Sequence, residues 1–261
     1  MSASTLRGAA NAGNERFSAE AAAWDSNPFV HAMSLEAWSA IQKFVPSLFS
    51  GANSSRPDVL EIGCGTGLLS LETAPAANRL VAVDAAQGMI DVLSSKLAAP
   101  GAPKNVRPLA ILLEDPEDER LPPADEADPD GPRLKFDLIT SHLVLHHIPD
   151  LKSTLKTMLG CLKQGGMVAL TDFEDFGPEA KRFHPESKMQ GVERHGIARG
   201  WMAALMREVG FEDVRVEVGW EHEKIVERYP GEFKEGKPLE GAGELMKFSY
   251  VVCLGKKGSV N

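Results

Sequence analysis

The stretch Val59-Leu60-Glu61-Ile62-Gly63-Cys64-Gly65-Thr66-Gly67-Leu68 constrains the fold of this chain more than any other. A short apolar run stops at three glycines on alternate positions, and a helical pattern begins at Leu68. Glycine permits a sharp turn there and lets a ligand approach bare backbone at a helix N-terminus, where N–H groups lack internal partners. Alternating elements follow. Strand-like segments occur at 58–62, 80–83, 110–113, 136–140 and 167–171, and helical ones at 68–74, 89–98, 151–162 and 200–209. Val214 onward and Phe248–Leu254 read as the last two strands. The alternation predicts an α/β fold with a doubly wound, mostly parallel sheet. Right-handed crossovers then put the ligand crevice at the carboxyl ends of the strands, beside the first one.

Residues 1–16 are small and polar and read as a flexible tail. A helical cap is expected over 17–57. Ala19–Trp24 are helix formers, Asn27-Pro28 is a break, and Leu35, Trp38, Ile41 and Val45 keep helical spacing. Ser50–Pro57 is turn chemistry. The core is expected over 58–261, with an acidic, proline-rich solvated loop at 114–132 and a lid insertion at 173–197. The net charge of −9 argues against nucleic acid as the main partner, since lysines and arginines are spread through the chain and Lys256-Lys257 lies near the terminus. Cys64, Cys161 and Cys253 form no disulfide or zinc spacing, which suits a reducing, cytoplasmic compartment. No signal-peptide core is visible, and no apolar run nears the roughly 18 residues of a membrane span.

The spacing also discriminates between ligands. A dinucleotide fingerprint needs Gly or Ala at position 68, where this chain has Leu68, and its third glycine falls one residue early at Gly67. This points away from NAD and toward another adenosine-containing ligand. Glu61 is an acid in an apolar strand end, costly unless paired, so it either receives a ligand cation or orders the loop. Asp84 ends the second strand, where a carboxylate can accept from both ribose hydroxyls or cap the next helix. Glu114-Asp115 follow the third strand, within reach of an adenine amino group.

Taken together, Glu61-x-Gly63-x-Gly65-x-Gly67, Asp84 followed by Met89, Phe136-Asp137-Leu138-Ile139 and Leu145-His146-His147-Ile148 resemble the class I S-adenosylmethionine-dependent methyltransferases. Leu162-Lys-Gln-Gly165-Gly166-Met-Val-Ala-Leu170 matches as well. The resemblance implies a Rossmann-like sheet of seven strands, the last antiparallel. It implies that Gly63, Gly65 and Gly67 line the methionine part of S-adenosylmethionine, with Cys64, Leu68 and Ala85 also at the cofactor. Asp84 would hold the ribose, Met89, Glu114 and Asp115 would flank adenine, and Ser141 would face the methionine side. Trp24 and Asp25 resemble the cap segment that closes over cofactor in relatives. The Asn/Asp-Pro-Pro-Tyr/Phe signature of nucleic-acid amino-methylating enzymes is replaced here by Ser141-His142-Leu143-Val144.

Methyl transfer needs in-line alignment and, for a protonated acceptor, a base near neutrality, for which histidine is suited. The candidates are His142, His146 and His147 beside the crevice and His195 at the end of the lid. No metal centre is expected, because Pro149 interrupts the His142-x3-His146-His147 group and no HExxH occurs. Aromatic residues of the cap, lid and 219–246 segments (Phe17, Trp24, Phe29, Trp38, Phe173, Phe176, Phe183, Trp201 and Trp220) are candidates for a pocket, of which two or three should reach it. The expected function is methylation of an O, N or S nucleophile on a small molecule by a monomer or homodimer. Protein methylation and a non-catalytic cofactor-binding subunit are the alternatives.

Overall fold

The computed structural model describes residues 3–49 and 56–259, so most of the turn expected over Ser50–Pro57 lies outside the described residues. Two helices, α1 (Ala3–Trp24) and α2 (Pro28–Phe44), precede β1 (Asp58–Ile62), α3 (Leu68–Thr73), β2 (Arg79–Asp84) and α4 (Gln87–Ala98). Then come β3 (Val106–Ala110), β4 (Phe136–His142), α5 (Leu151–Cys161), β5 (Leu162–Phe173), α6 (Arg199–Val209), β6 (Glu212–Val226) and β7 (Glu244–Lys256). The sheet order is β3-β2-β1-β4-β5-β7-β6. Only β7 runs antiparallel to its neighbours, so the expected seven-stranded, doubly wound sheet is present.

The order follows from burial. All five residues of β1 are buried, as suits a central strand covered on both faces. On one face Leu155 and Met158 of α5 and Met202 and Met206 of α6 complete a core with Leu60, Ile139 and Val251. On the other, Ala37 and Ile41 of α2, Leu69 of α3 and Leu93 of α4 pack over Val59, Leu80 and Leu138.

Three expectations are corrected. The third strand lies at Val106–Ala110, not 110–113. It is an edge strand, where Pro108 is tolerated because one side needs no ladder partner. The apolar Ile111 and Leu113 beyond it are buried without extending the strand. The region 219–246 is strand at both ends: β6 pairs with β7 from Glu212↔Lys256 to Val226↔Glu244, leaving 227–243 as the connection. Finally, α1 begins at Ala3, inside the expected tail, as its alanine-rich composition favours. Gly88 lets α1 cross close to α4: a Cβ there would sit 2.6 Å from the Ser18 carbonyl oxygen. The Gly88 N–H donates to Ser18 Oγ at 3.3 Å. This crossing sets α1 beside the carboxyl ends of β1 and β2.

Candidate functional site

The glycine loop is built by its neighbours. Gly63 and Cys64 both donate their N–H to the Val83 carbonyl, at 2.8 and 3.0 Å, which pins the end of β1 to β2. Gly67, the α3 N-cap, has φ +82°, and a Cβ there would lie 2.3 Å from Leu93 Cδ1. Gly65 also has positive φ, +53°, yet a Cβ on it would meet nothing within 4 Å. Gly67 is therefore required by packing, whereas Gly65 turns bare backbone toward open space.

Two acids hold this loop. Asp84 accepts from the Gly65 N–H and the Ala86 N–H, each at 2.8 Å, leaving lone pairs free on both oxygens. Burial raises its pKa against these two bonds. Glu61, 2% exposed, accepts from Ser70 Oγ at 2.7 Å. Burial first, and then the Asp84 charge, push its carboxyl up to about 8. Burial also pushes the Cys64 thiol up, so it is no thiolate nucleophile. Asp25, just after α1, accepts from Thr66 Oγ1 and pairs with Lys96, whose ammonium also donates to the Thr66 carbonyl at 2.8 Å. The cap is thereby tied to the glycine loop.

A cavity of about 440 Å³ opens over this loop. Of the residues expected at a cofactor, Glu61, Gly63, Cys64, Gly65 and Leu68 form its floor. Asp84, Ala85, Met89 and Glu114 form one side, with Trp24 above. The wall does not include Gly67, Asp115 or Ser141. Gly67 faces Leu93, Asp115 is exposed and accepts from the Glu117 N–H, and Ser141 is fully buried within β4. Sequence reasoning missed Gly13 and Asn14 of α1 and Val30 and Ser34 of α2, which complete the wall. Nothing in their sequence context marks them; the α1–α4 crossing brings in the α1 pair, and the packing of α2 on α3 and β1 the α2 pair. Of the nine candidate aromatics, Phe17 and Trp24 line the cavity. Phe29, Phe173, Phe183 and Trp220 join a separate apolar cluster with Phe248 and Tyr250. Trp38 packs on Phe49, and Phe176 and Trp201 are exposed.

The charge of the wall identifies the kind of ligand. Glu61, Asp84, Glu114, Asp150 and Glu193 line it, and among the described residues no lysine or arginine does. These carboxyl groups favour a cationic ligand such as a sulfonium or an ammonium over a pyrophosphate. The bare Gly65 backbone, the free lone pairs of Asp84 and the apolar slot at Met89, Ile111 and Leu113 fit an adenosyl cation.

The four candidate histidines separate. His142 and His147 line the cavity; His146 and His195 do not. His195 is exposed, in the irregular segment that follows β5. His146, 1% exposed, bonds through Nδ1 to the Asp172 carboxylate at 2.8 Å and is a positioned interior residue. His147 donates from Nδ1 to the Gly191 carbonyl at 2.7 Å. Burial holds His147 and the nearby His184 well below the usual imidazole range. His142 Nδ1 bonds to Thr171 Oγ1 at 2.9 Å, and that hydroxyl donates to the Ser141 carbonyl at 3.3 Å. The hydroxyl hydrogen is committed, so Nδ1 of His142 is the donor and Nε2 carries a lone pair. This Nε2 is buried with no hydrogen-bond partner among the described residues, and burial lowers the His142 pKa to about 4.

A profile described as a methyltransferase domain matches residues 29–216, well over half of the chain. An uncharacterized methyltransferase of Schizosaccharomyces pombe is 29% identical over 143 residues, 53% of this chain and 47% of that one. The malonyl-[acyl-carrier protein] O-methyltransferase of Serratia marcescens is 31% identical over 137 residues, 52% of this chain and 46% of the other. The chain thus matches about half the length of these curated relatives. The solved DhpI–SAH complex superposes with TM-score 0.58 at 16% identity, covering 97% of this chain and 98% of that one, and so shares the fold. With the glycine loop, the acidic cavity and this match in agreement, the chain belongs to the class I S-adenosylmethionine-dependent methyltransferases.

Proposed function

We propose that this enzyme methylates an O, N or S nucleophile of a small molecule, with His142 accepting the acceptor's proton. The reading is carried by the unpartnered Nε2 of His142, a residue that lines the cavity. S-adenosylmethionine supplies an electrophilic methyl group, so the chain's own work is orientation, exclusion of water and proton removal. Glu61, Asp84 and Gly65 bind and orient the cofactor. Asn14, Phe17 and Trp24 of α1 and Val30 and Ser34 of α2 line the cavity beside it. As the nucleophile attacks carbon, the bond from methyl to sulfur breaks and the nucleophile's proton passes to His142 Nε2. Thr171 holds the ring by its opposite nitrogen. The low pKa keeps Nε2 unprotonated at neutral pH and makes it a mild base, matched to an acidic hydroxyl or a neutral amine. A cavity of about 440 Å³ favours a small acceptor over a polypeptide. The name of the Serratia relative favours oxygen as the atom methylated.

The test is to incubate the enzyme and isotope-labelled S-adenosylmethionine with a metabolite extract and search for metabolites that gain one methyl group. His142→Gln should lower the turnover of any hit about 10²- to 10⁴-fold. Label appearing only in proteins, or a His142→Gln enzyme of unchanged rate, refutes the proposal.

A further inference from the structure

Beside the cavity, three imidazoles from two segments far apart in sequence meet. His146 and His147 follow β4, and His184 follows the helical turn Pro178–Phe183 of the lid. One ring nitrogen from each lies within 4.8 Å of the other two. Ring centroids are 3.9 Å apart for His146–His147, 5.0 Å for His146–His184 and 5.7 Å for His147–His184.

The outer contacts determine which nitrogens are free. His146 gives Nδ1 to Asp172, whose carboxylate also accepts the His146 and Phe173 N–H groups. His147 gives Nδ1 to the Gly191 carbonyl. With Nδ1 engaged on both rings, Nε2 is the nitrogen left on each to bind a ligand. His146 Nε2 and His184 Nδ1 are buried and have no hydrogen-bond partner among the described residues. Leaving such atoms unmatched is costly, and two in one cluster call for a shared partner that accepts their lone pairs. A carboxylate or carbonyl holding the far nitrogen is also how metal-binding histidines are normally oriented.

We propose that His146, His147 and His184 bind a divalent first-row transition ion, with zinc as the best match. Imidazole donors select such ions over magnesium or calcium, which prefer oxygen. Zinc accepts nitrogen at about 2.0–2.1 Å and commonly uses three protein ligands with a fourth position left to water. Arg16, Arg194 and Lys224 also face the group, and Asp172 offsets part of their charge. Phe17 packs edge-on against His147 at 5.1 Å and Phe173 against His146 at 4.9 Å, giving an apolar sleeve. Such an ion would fasten the lid segment carrying His184 to the ends of β4 and β5. His147 belongs to the cavity wall, so the ion would stand at the edge of the acceptor space.

The inference is independent of the methyl donor, and so is its test. The full-length protein, stripped with a chelator, is titrated with zinc against a chromophoric competitor and separately with Co²⁺. One equivalent should bind, and Co²⁺ should give the intense visible bands of a four-coordinate nitrogen site. His184→Phe, which keeps the sleeve apolar, should weaken zinc at least about 100-fold, and Asp172→Asn about 10- to 100-fold. His195→Ala, remote from the cluster, should bind as the wild type does. Folding of each variant is checked by circular dichroism, and the wild-type stoichiometry and Co²⁺ spectrum stand whether or not a variant folds. Absence of a stoichiometric ion in the wild type, six-coordinate Co²⁺, or equal affinity in folded His184→Phe overturns the proposal.

Discussion

Replacing Glu61 by glutamine isolates the most unusual electrostatic feature of the site. The carboxyl is 2% exposed, accepts one hydrogen bond from Ser70 and lies near Asp84, so its pKa rises from 4.5 to about 8. Between these two values the unfolded chain has lost this proton while the folded protein keeps it. Each pH unit in that window therefore removes about 1.4 kcal/mol of stability, and the contribution present below pH 4.5 is spent once the pH passes 8. Over the full window of 4.5 to about 8 the loss sums to about 5 kcal/mol, an upper bound for a single buried group. The substituted amide would keep the Ser70 bond and cannot ionise. Urea unfolding of wild type and Glu61→Gln without cofactor, from about pH 6 to pH 9, should show the variant gaining about 2–3 kcal/mol relative to wild type. The affinity of wild type for S-adenosylmethionine should rise toward pH 8 by up to tenfold per unit, because an ionised Glu61 is the form that attracts a cation. The variant should bind weakly with no such slope. Parallel stability profiles for the two proteins would refute the reasoning.

Gly65→Ala should cost about 1 kcal/mol of stability from its positive φ, yet weaken cofactor binding more than tenfold, because the new methyl group projects into the cavity. Gly67→Ala should instead destabilise by about 2–3 kcal/mol through its contact with Leu93; thermal unfolding and calorimetry on both variants separate the two roles. Asp84→Ala, which leaves the Gly65 and Ala86 N–H groups unpaired, should weaken cofactor binding by about 1–3 kcal/mol, measured by titration calorimetry. At saturating cofactor, kcat should stay flat through neutrality and fall only as the pH approaches about 4, where His142 takes up a proton; a limb near 6.5 would point to another base.

The parts of the site made by contiguous residues were legible. An apolar run ending in glycine is both a central strand and an open loop, so β1, the turn and Asp84 follow from local pattern. The edge of the sheet was less so: Pro108 disguises β3, and the apolar Ile111 and Leu113 beyond it mimic a strand they do not join. Side-chain direction was not legible either. Ser141 sits one residue before a cavity residue, and strand alternation turns it into the core. The α1 wall depends on a close helix crossing at Gly88 that no periodicity encodes. The histidine cluster was invisible for a similar reason. His184 lies in a segment with little regular structure, and the packing of Phe183 on Phe173 carries it to His146.

Calorimetric titration of the folded protein with S-adenosylmethionine and with its demethylated product reaches the central claim most directly. The account predicts saturable one-to-one binding of both, lost or greatly weakened in Gly65→Ala, with NAD giving no heat beyond dilution. A folded wild-type sample that binds neither sulfur compound, or that binds NAD in their place, would contradict it.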